Sequence, residues 1–435
     1  MRIGIIADDL TGANDTGVQF TRIGLSTTVL LDLNSRPSCD REVVVLDTDS
    51  RSSSREEAYQ QVHEVCDYIK QQEKVPEIIY KKIDSTLRGN LGVEWDAVYQ
   101  AFQPDFIVIA PSYPKAGRVL RNGSMWVNGG LLHETALSQD PKNPSTSSSL
   151  LELIEEQTSR PYALVTTELL RGDREHLAGR IKELYQKDIP YLVFDAETDA
   201  DLAAIAAIFQ DEHYQVIWSG SAGLANALTS YYSGYAINHV HRASASELVI
   251  AVVGSVNTAS RRQLDVVLRQ ENVRGLELNA VLALTEEGQQ LELERITYAA
   301  QQALLDERKH VVLYSSAGPE TMKSARSRGI QLGMAANQVS DIIGKSLGAI
   351  AAQVVRDSGV SNLVLTGGDT ARQVCLHLGA GAIELITEIE DGVPVGSLSV
   401  GREIYVITKA GGFGHDEVLL RAMRTLTGGE SLSNQ

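Results

Sequence analysis

The stretch IGIIADDLTGANDTG, Ile3 to Gly17, sets a short apolar run against an abrupt polar turn. Ile3–Ala7 reads as a buried strand, because an unbroken apolar run leaves no face for solvent. Asp8, Asp9, Thr11, Gly12, Asn14 and Asp15 follow immediately. A turn needs only one or two such residues. The excess points to a strand end that faces a polar ligand.

The same unit recurs along the chain. Strand-like runs at Thr27–Leu31, Val43–Leu46, Ile78–Tyr80, Phe106–Ala110, Ala163–Thr166, Tyr191–Phe194 and Val216–Trp218 alternate with helical patterns such as Arg55–Gln71 and Val93–Phe102. A second series runs through Leu248–Val253, Val311–Tyr314, Leu363–Thr366 and Ile404–Thr408. Alternation of this kind predicts α/β architecture with mostly parallel sheets flanked by helices. YYSGYAINHVHRASASE, Tyr231 to Glu247, lacks periodicity and separates the two series. Two domains are therefore expected, 1–235 and 245–435. SQDPKNPSTSSS, Ser138 to Ser149, reads as a surface loop.

In open parallel sheets, ligands bind beyond the carboxyl ends of the strands. After the first strand stand Asp8 and Asp9. After the next candidates stand DTDSR (Asp47–Arg51), KKIDSTLRGN (Lys81–Asn90) and PSYPKAGR (Pro111–Arg118). Each turn taken alone reads as a helix cap. Together they describe a site for a small polyhydroxy acid, with Arg51 and Lys82 for the carboxylate and Asp9, Asp84 and Ser85 for hydroxyls. Lys81 and Lys82 alternate faces, so one of them should point to the site. Arg118 and Arg121 read as ordinary surface charge, and His133, His239 and His241 as structural or exposed.

The second half carries a different chemistry. VVGSVNTASRRQ, LVLTGGDTARQV and VITKAGGFGHDEVL each place glycines between a strand and a helical stretch. Glycine lets a backbone approach closely, and exposed amides at a helix start attract phosphate. Three such turns suggest a cradle for nucleotide phosphates. No dinucleotide or P-loop fingerprint is present, which argues against an oxidoreductase.

Composition narrows the partners. The chain has 435 residues, 39 Lys+Arg against 56 Asp+Glu, and a formal charge of −17. Such a surface repels nucleic acid and anionic lipid. No apolar run approaches a membrane span. Cys39, Cys66 and Cys375 are scattered and form neither a disulfide framework nor a zinc site, as expected in a reducing cytoplasm.

ADDLTGANDTG, DTDSR, KKIDSTLRGN, TGGDTARQV and KAGGFG, in this order, resemble the four-carbon acid sugar kinase family, once described as a domain of unknown function. The motifs span Ala7 to Gly414. The resemblance implies ATP-dependent phosphorylation, with Mg²⁺, of the terminal C4 hydroxyl of a tetronate. NDTGVQ, Asn14 to Gln19, is closest to the branch acting on D-threonate, with D-erythronate and 3-oxo-tetronate as alternatives. By motif, Asp9, Arg51, Lys82, Ile83, Asp84 and Ser85 bind the sugar acid, and Asp84 or Asp9 takes the hydroxyl proton. Ser255, Gly367, Gly368, Asp369, Thr370 and Gly411 bind ATP, and Asp369 or Thr370 supports the phosphates or the metal. The active site is expected in the cleft between the domains. Sugar acid and ATP are the expected partners, with a homodimer allowed. Readings of another class are a ligase that activates the carboxylate and a non-catalytic sugar-acid sensor.

Overall fold

The computed structural model describes residues 1–35, 41–135, 137, 145, 147–210, 213–232, 246–316 and 318–428. The chain divides into two compact units, Met1–Ile237 and Asn238–Gln435. The expected break between 235 and 245 lies outside the described residues, as do Cys39, His239 and His241.

The first unit holds β1 (Ile3–Ala7), β2 (Thr27–Leu30), β3 (Val43–Asp47), β4 (Ile78–Lys82), β5 (Phe106–Ala110), β6 (Arg118–Arg121), β7 (Ser124–Val127), β8 (Gly130–Leu131), β9 (Tyr162–Val165), β10 (Tyr191–Phe194) and β11 (Val216–Gly220). Its main sheet runs β2-β3-β1-β4-β11-β5-β10-β9, and every pairing is parallel. Helices cover it, so β1, β3, β4 and β5 are buried along their whole length. That is why they read as apolar runs rather than alternating ones. The unforeseen β6–β8 form a small antiparallel sheet of their own.

The helices follow local rules. Helix Arg55–Lys70 starts at Ser54, which exchanges hydrogen bonds with Glu57 in a capping box. It buries Ala58, Val62, Val65, Cys66 and Ile69, a helical stripe facing the core. Helix Leu91–Phe102 packs against it and buries Leu91, Trp95 and Val98.

The second unit holds β12 (Ile250–Val253), β13 (Val273–Leu278), β14 (His310–Ser315), β15 (Asn362–Thr366), β16 (Ala382–Glu388), β17 (Pro394–Ser399) and β18 (Glu403–Lys409). The order β13-β14-β12-β15-β18 is parallel. β17 and β16 extend it antiparallel. The mostly parallel α/β expectation therefore holds in both units. Strands β13, β16 and β17 were not foreseen: half-exposed residues break the apolar runs of β13 and β16, and Gly396, Ser397 and Ser399 break that of the mostly buried β17.

Candidate active site

In the first unit the carboxyl ends of β3, β1 and β4 stand side by side, and each delivers a charged group. Asp9 caps helix Leu10–Thr21. Its Oδ1 accepts the Gly12 amide at 3.0 Å and its Oδ2 the Thr11 hydroxyl at 2.7 Å. The cap reading is thus realised, at the end of β1.

Arg51 comes over from the end of β3 and locks both aspartates. Its Nε donates to Asp8 Oδ2 at 2.7 Å and its Nη1 to Asp9 Oδ2 at 2.7 Å. Its Nη2 donates to Asp8 Oδ1 at 2.9 Å and to Asp9 Oδ1 at 2.6 Å. A planar fork suits carboxylates, and here the protein's own carboxylates occupy it. This differs from the expectation that Arg51 pairs with the substrate's acid group. Burial opposes its charge, but Asp8, Asp9 and Asp84 hold the guanidinium firmly ionised. Burial likewise raises the Asp8 carboxyl, yet Arg51, Lys81 and Lys82 outweigh it and keep Asp8 below the ordinary range.

The two lysines that end β4 part company. Lys81 turns inward to Glu94 Oε2 at 2.7 Å, and both side chains are at most 1% exposed. Glu94 also accepts the Ser50 hydroxyl at 2.6 Å. Lys82 turns towards helix Leu10–Thr21, and its Nζ donates to the Ile83 carbonyl at 2.8 Å. It lies so close to Gly12 that a β-carbon there would stand 2.7 Å from it.

Beyond Lys82, the Ile83 amide bonds the Gly220 carbonyl at 2.9 Å, which fixes the turn on β11. Asp84 accepts the Thr86 hydroxyl, and Arg88 Nε at 2.5 Å. Burial raises Asp84, but Arg88, Arg51 and Lys82 hold it well below the carboxylate range. Ser85 accepts Arg118 Nη1 at 2.7 Å. Arg118 is therefore no surface charge, a correction to the sequence reading. Gly117, at φ 70°, turns the chain after β5 so that Arg118 returns over the strand ends. Burial depresses its pKa, and Asp84 and Asp15 lie close enough to counter this. The clue available in the sequence was its place at the fourth polar strand end. Arg121 does stay at the surface, on Glu197, and His133 is structural, on Ser148.

In the second unit the predicted nucleotide residues also converge, on the adjacent strands β12, β15 and β18. Gly367, at φ 96°, lies against the Ser255 amide. Helix Gly368–Leu378 follows it with no side-chain cap on its first amides, and Asp369 stands in its first turn. Gly254 faces the Thr370 hydroxyl, and Gly411 faces the Ser255 hydroxyl, so closely that a side chain at either glycine would overlap it.

The loop after β18 is tied from within: Ser260 Oγ donates to the Gly411 carbonyl at 2.8 Å. Gln263 Nε2 donates to the carbonyls of Phe413, Gly414 and His415 at 3.0, 3.0 and 3.1 Å. Arg261, unforeseen, bonds the Ser315 carbonyl at the end of β14 through Nη1 at 2.6 Å. Its buried Nε and Nη2 have no acceptor among the described residues. Amides, hydroxyls and an arginine fork form a donor set that fits a polyphosphate. No group of metal-binding side chains occurs among the described residues.

Two parallel α/β units, one with charged strand ends and one with glycine-lined strand ends, define a two-domain α/β protein of sugar-binding and nucleotide-binding type. Residues 3–228 match the sugar-binding N-terminal domain family, and residues 250–419 the nucleotide-binding C-terminal domain family. The chain is 32% identical over 426 residues to a D-threonate kinase of Salmonella typhimurium, covering 97% of this chain and 98% of that one. It is 27% identical over 443 residues to a 3-oxo-tetronate kinase of Pseudomonas fluorescens, covering 99% and 98%. A solved structure from Salmonella typhimurium LT2 shares the fold at TM-score 0.78 and 24% identity, covering 97% of this chain and 98% of that one. The chain belongs to the four-carbon acid sugar kinase family.

Proposed function

We propose that this chain transfers the terminal phosphoryl group of ATP to the C4 hydroxyl of D-threonate, giving 4-phospho-D-threonate. D-erythronate and 3-oxo-tetronate are the alternative acceptors. The observation that carries the choice is the full-length similarity to a protein named D-threonate kinase, at 32% identity against 27% for the 3-oxo-tetronate kinase.

Phosphoryl transfer asks the protein for positioning and charge neutralisation more than for covalent chemistry. Lys82 and Arg118 pair with the sugar-acid carboxylate. Arg51 braces Asp8 and Asp9, so that Asp9 presents a fixed acceptor to a substrate hydroxyl. Ile83 and Ser85 shape the same turn. Asp84 and Asp9 are the two base candidates, each ion-paired with an arginine, Asp84 with Arg88 and Asp9 with Arg51.

Ser255, Gly367, Gly368, Asp369, Thr370 and Gly411 hold ATP. Mg²⁺ enters with the nucleotide, held chiefly by phosphate oxygens, and neutralises charge. The acidic surface, the buried thiols of Cys66 and Cys375 and the small-molecule substrates suit a cytoplasmic enzyme.

The test is coupled ADP release with D-threonate, L-threonate, D-erythronate and the 3-oxo acids, with phosphorus NMR of the product. The expected outcome is the highest kcat/KM for D-threonate and a phosphate monoester. An acyl phosphate supports the ligase. No ADP release with any four-carbon acid supports the sensor.

A further inference from the structure

Lys409 ends β18 with its side chain turned into the protein and only 1% exposed. Its ammonium donates to the carbonyls of Ala410 at 2.8 Å, Gly411 at 3.3 Å and Phe413 at 3.0 Å. An ammonium has three donors, and one short loop takes them all. Ser260 and Gln263, both neutral, bind the Gly411, Phe413, Gly414 and His415 carbonyls of the same segment. The carbonyls thus turn inward. In a trans peptide the N–H points opposite to the C=O, so the amides of Gly411, Gly412, Gly414, His415 and Asp416 turn the other way, while the Phe413 amide bonds the Ala410 carbonyl at 3.2 Å; amides turned outward in this way make an anion-binding concavity.

We propose that Lys409 is the positioning residue of the nucleotide site: its ammonium draws the Ala410, Gly411 and Phe413 carbonyls inward, so that the amides opposite them and the buried positive charge both favour an incoming polyphosphate. The proposal rests on reading Ser255, Gly367–Thr370 and Gly411 as nucleotide ligands. The charged groups around the loop are Glu390, whose charge reaches Lys409, and its partners His415 at 3.1 Å and Arg421 at 3.4 Å. The Arg262–Asp416 pair, at 2.9 Å, lies at the exposed edge.

Burial brings Lys409 down to about 7, against the pull of Glu390. A bound polyphosphate favours the ammonium. Above pH 7 nucleotide binding therefore draws a proton onto Lys409, and affinity falls by about tenfold per pH unit.

Calorimetry of ATP binding to the whole protein at pH 8, in buffers of different ionisation enthalpy, counts protons taken up. Phosphate monoesters lose their second proton near a pKa of about 6, so ATP itself contributes little at this pH. Wild type should take up a proton on binding, and its affinity should fall from pH 7 to 9. Lys409→Met should bind ATP about tenfold more weakly at pH 7, the order of a lost charge-assisted contact, with no uptake and a flat profile. Lys409→Arg, which stays charged, should restore affinity without restoring the pH dependence. His415→Gln should leave the uptake intact.

ATP binding by wild type without proton uptake, or uptake that survives in Lys409→Met, overturns the role of Lys409 and leaves the nucleotide reading standing. So does uptake lost in His415→Gln. The wild-type measurement decides even if Lys409→Met does not fold. Failure of wild type to bind ATP at any pH overturns the nucleotide reading itself.

Discussion

Arg51 holds the charged edge of the first unit together, because one guanidinium satisfies two adjacent carboxylates that would otherwise repel each other. Beneath it, Lys81 and Glu94 form a buried pair. Breaking such a pair leaves an unpaired charge in a low dielectric, at about 3–5 kcal/mol, whereas replacing both partners is close to neutral. Lys81→Met should therefore lose stability of that order in urea unfolding, and Lys81→Met with Glu94→Leu should recover most of it. Equal losses in the single and double variants would rule the account out. Asp84 makes a pH prediction. Its folded pKa lies below the unfolded value of about 3.9, so its contribution is complete above about pH 5 and disappears as pH falls towards the folded value. Melting temperatures between pH 3 and 7 should drop less steeply for Asp84→Asn than for wild type. Parallel curves would show that the Asp84–Arg88 pair contributes nothing.

At the scale of elements, helix Leu10–Thr21 starts at the site. Gly12 lies in its first turn, where a β-carbon would stand 2.6 Å from Asp9 Oδ1 and 2.7 Å from Lys82 Nζ. Alanine is the better helix former by about 1 kcal/mol, so the two effects oppose each other. Gly12→Ala should keep its melting temperature within a few degrees yet weaken sugar-acid binding by about tenfold or more, the cost of displacing a charged hydrogen-bonding group. Unchanged affinity by calorimetry would place Lys82 outside the acid site. Much of this was legible: the β1 run, the Asp9 cap and the polar strand ends all follow from local pattern. Arg118 was not, because its role depends on a turn at Gly117 that returns the chain over the sheet edge. Nor was the placing of β11 between β4 and β5, which more than a hundred residues separate in the chain from either strand.

At the scale of the molecule, each unit has its own sheet and core, and each should respond to its own ligand. Ligand at about 100 times its Kd adds about 2.7 kcal/mol to whatever it binds. Scanning calorimetry should show two overlapping transitions, one raised by D-threonate and the other by ATP. A single transition raised equally by either ligand would count against separate sites. Sequence by itself determined the α/β class, the division into two series of strands and the polar or glycine-rich character of the strand ends, because these depend on residue type and local period. Tertiary structure alone decided that Arg51 binds Asp8 and Asp9, that Lys81 pairs with Glu94 while Lys82 bonds the Ile83 carbonyl beside Gly12, and that Lys409 gathers a loop of carbonyls. Those pairings arise where strands distant in the chain are brought edge to edge, and a side chain's partner is set by that neighbour rather than by its own surroundings in sequence.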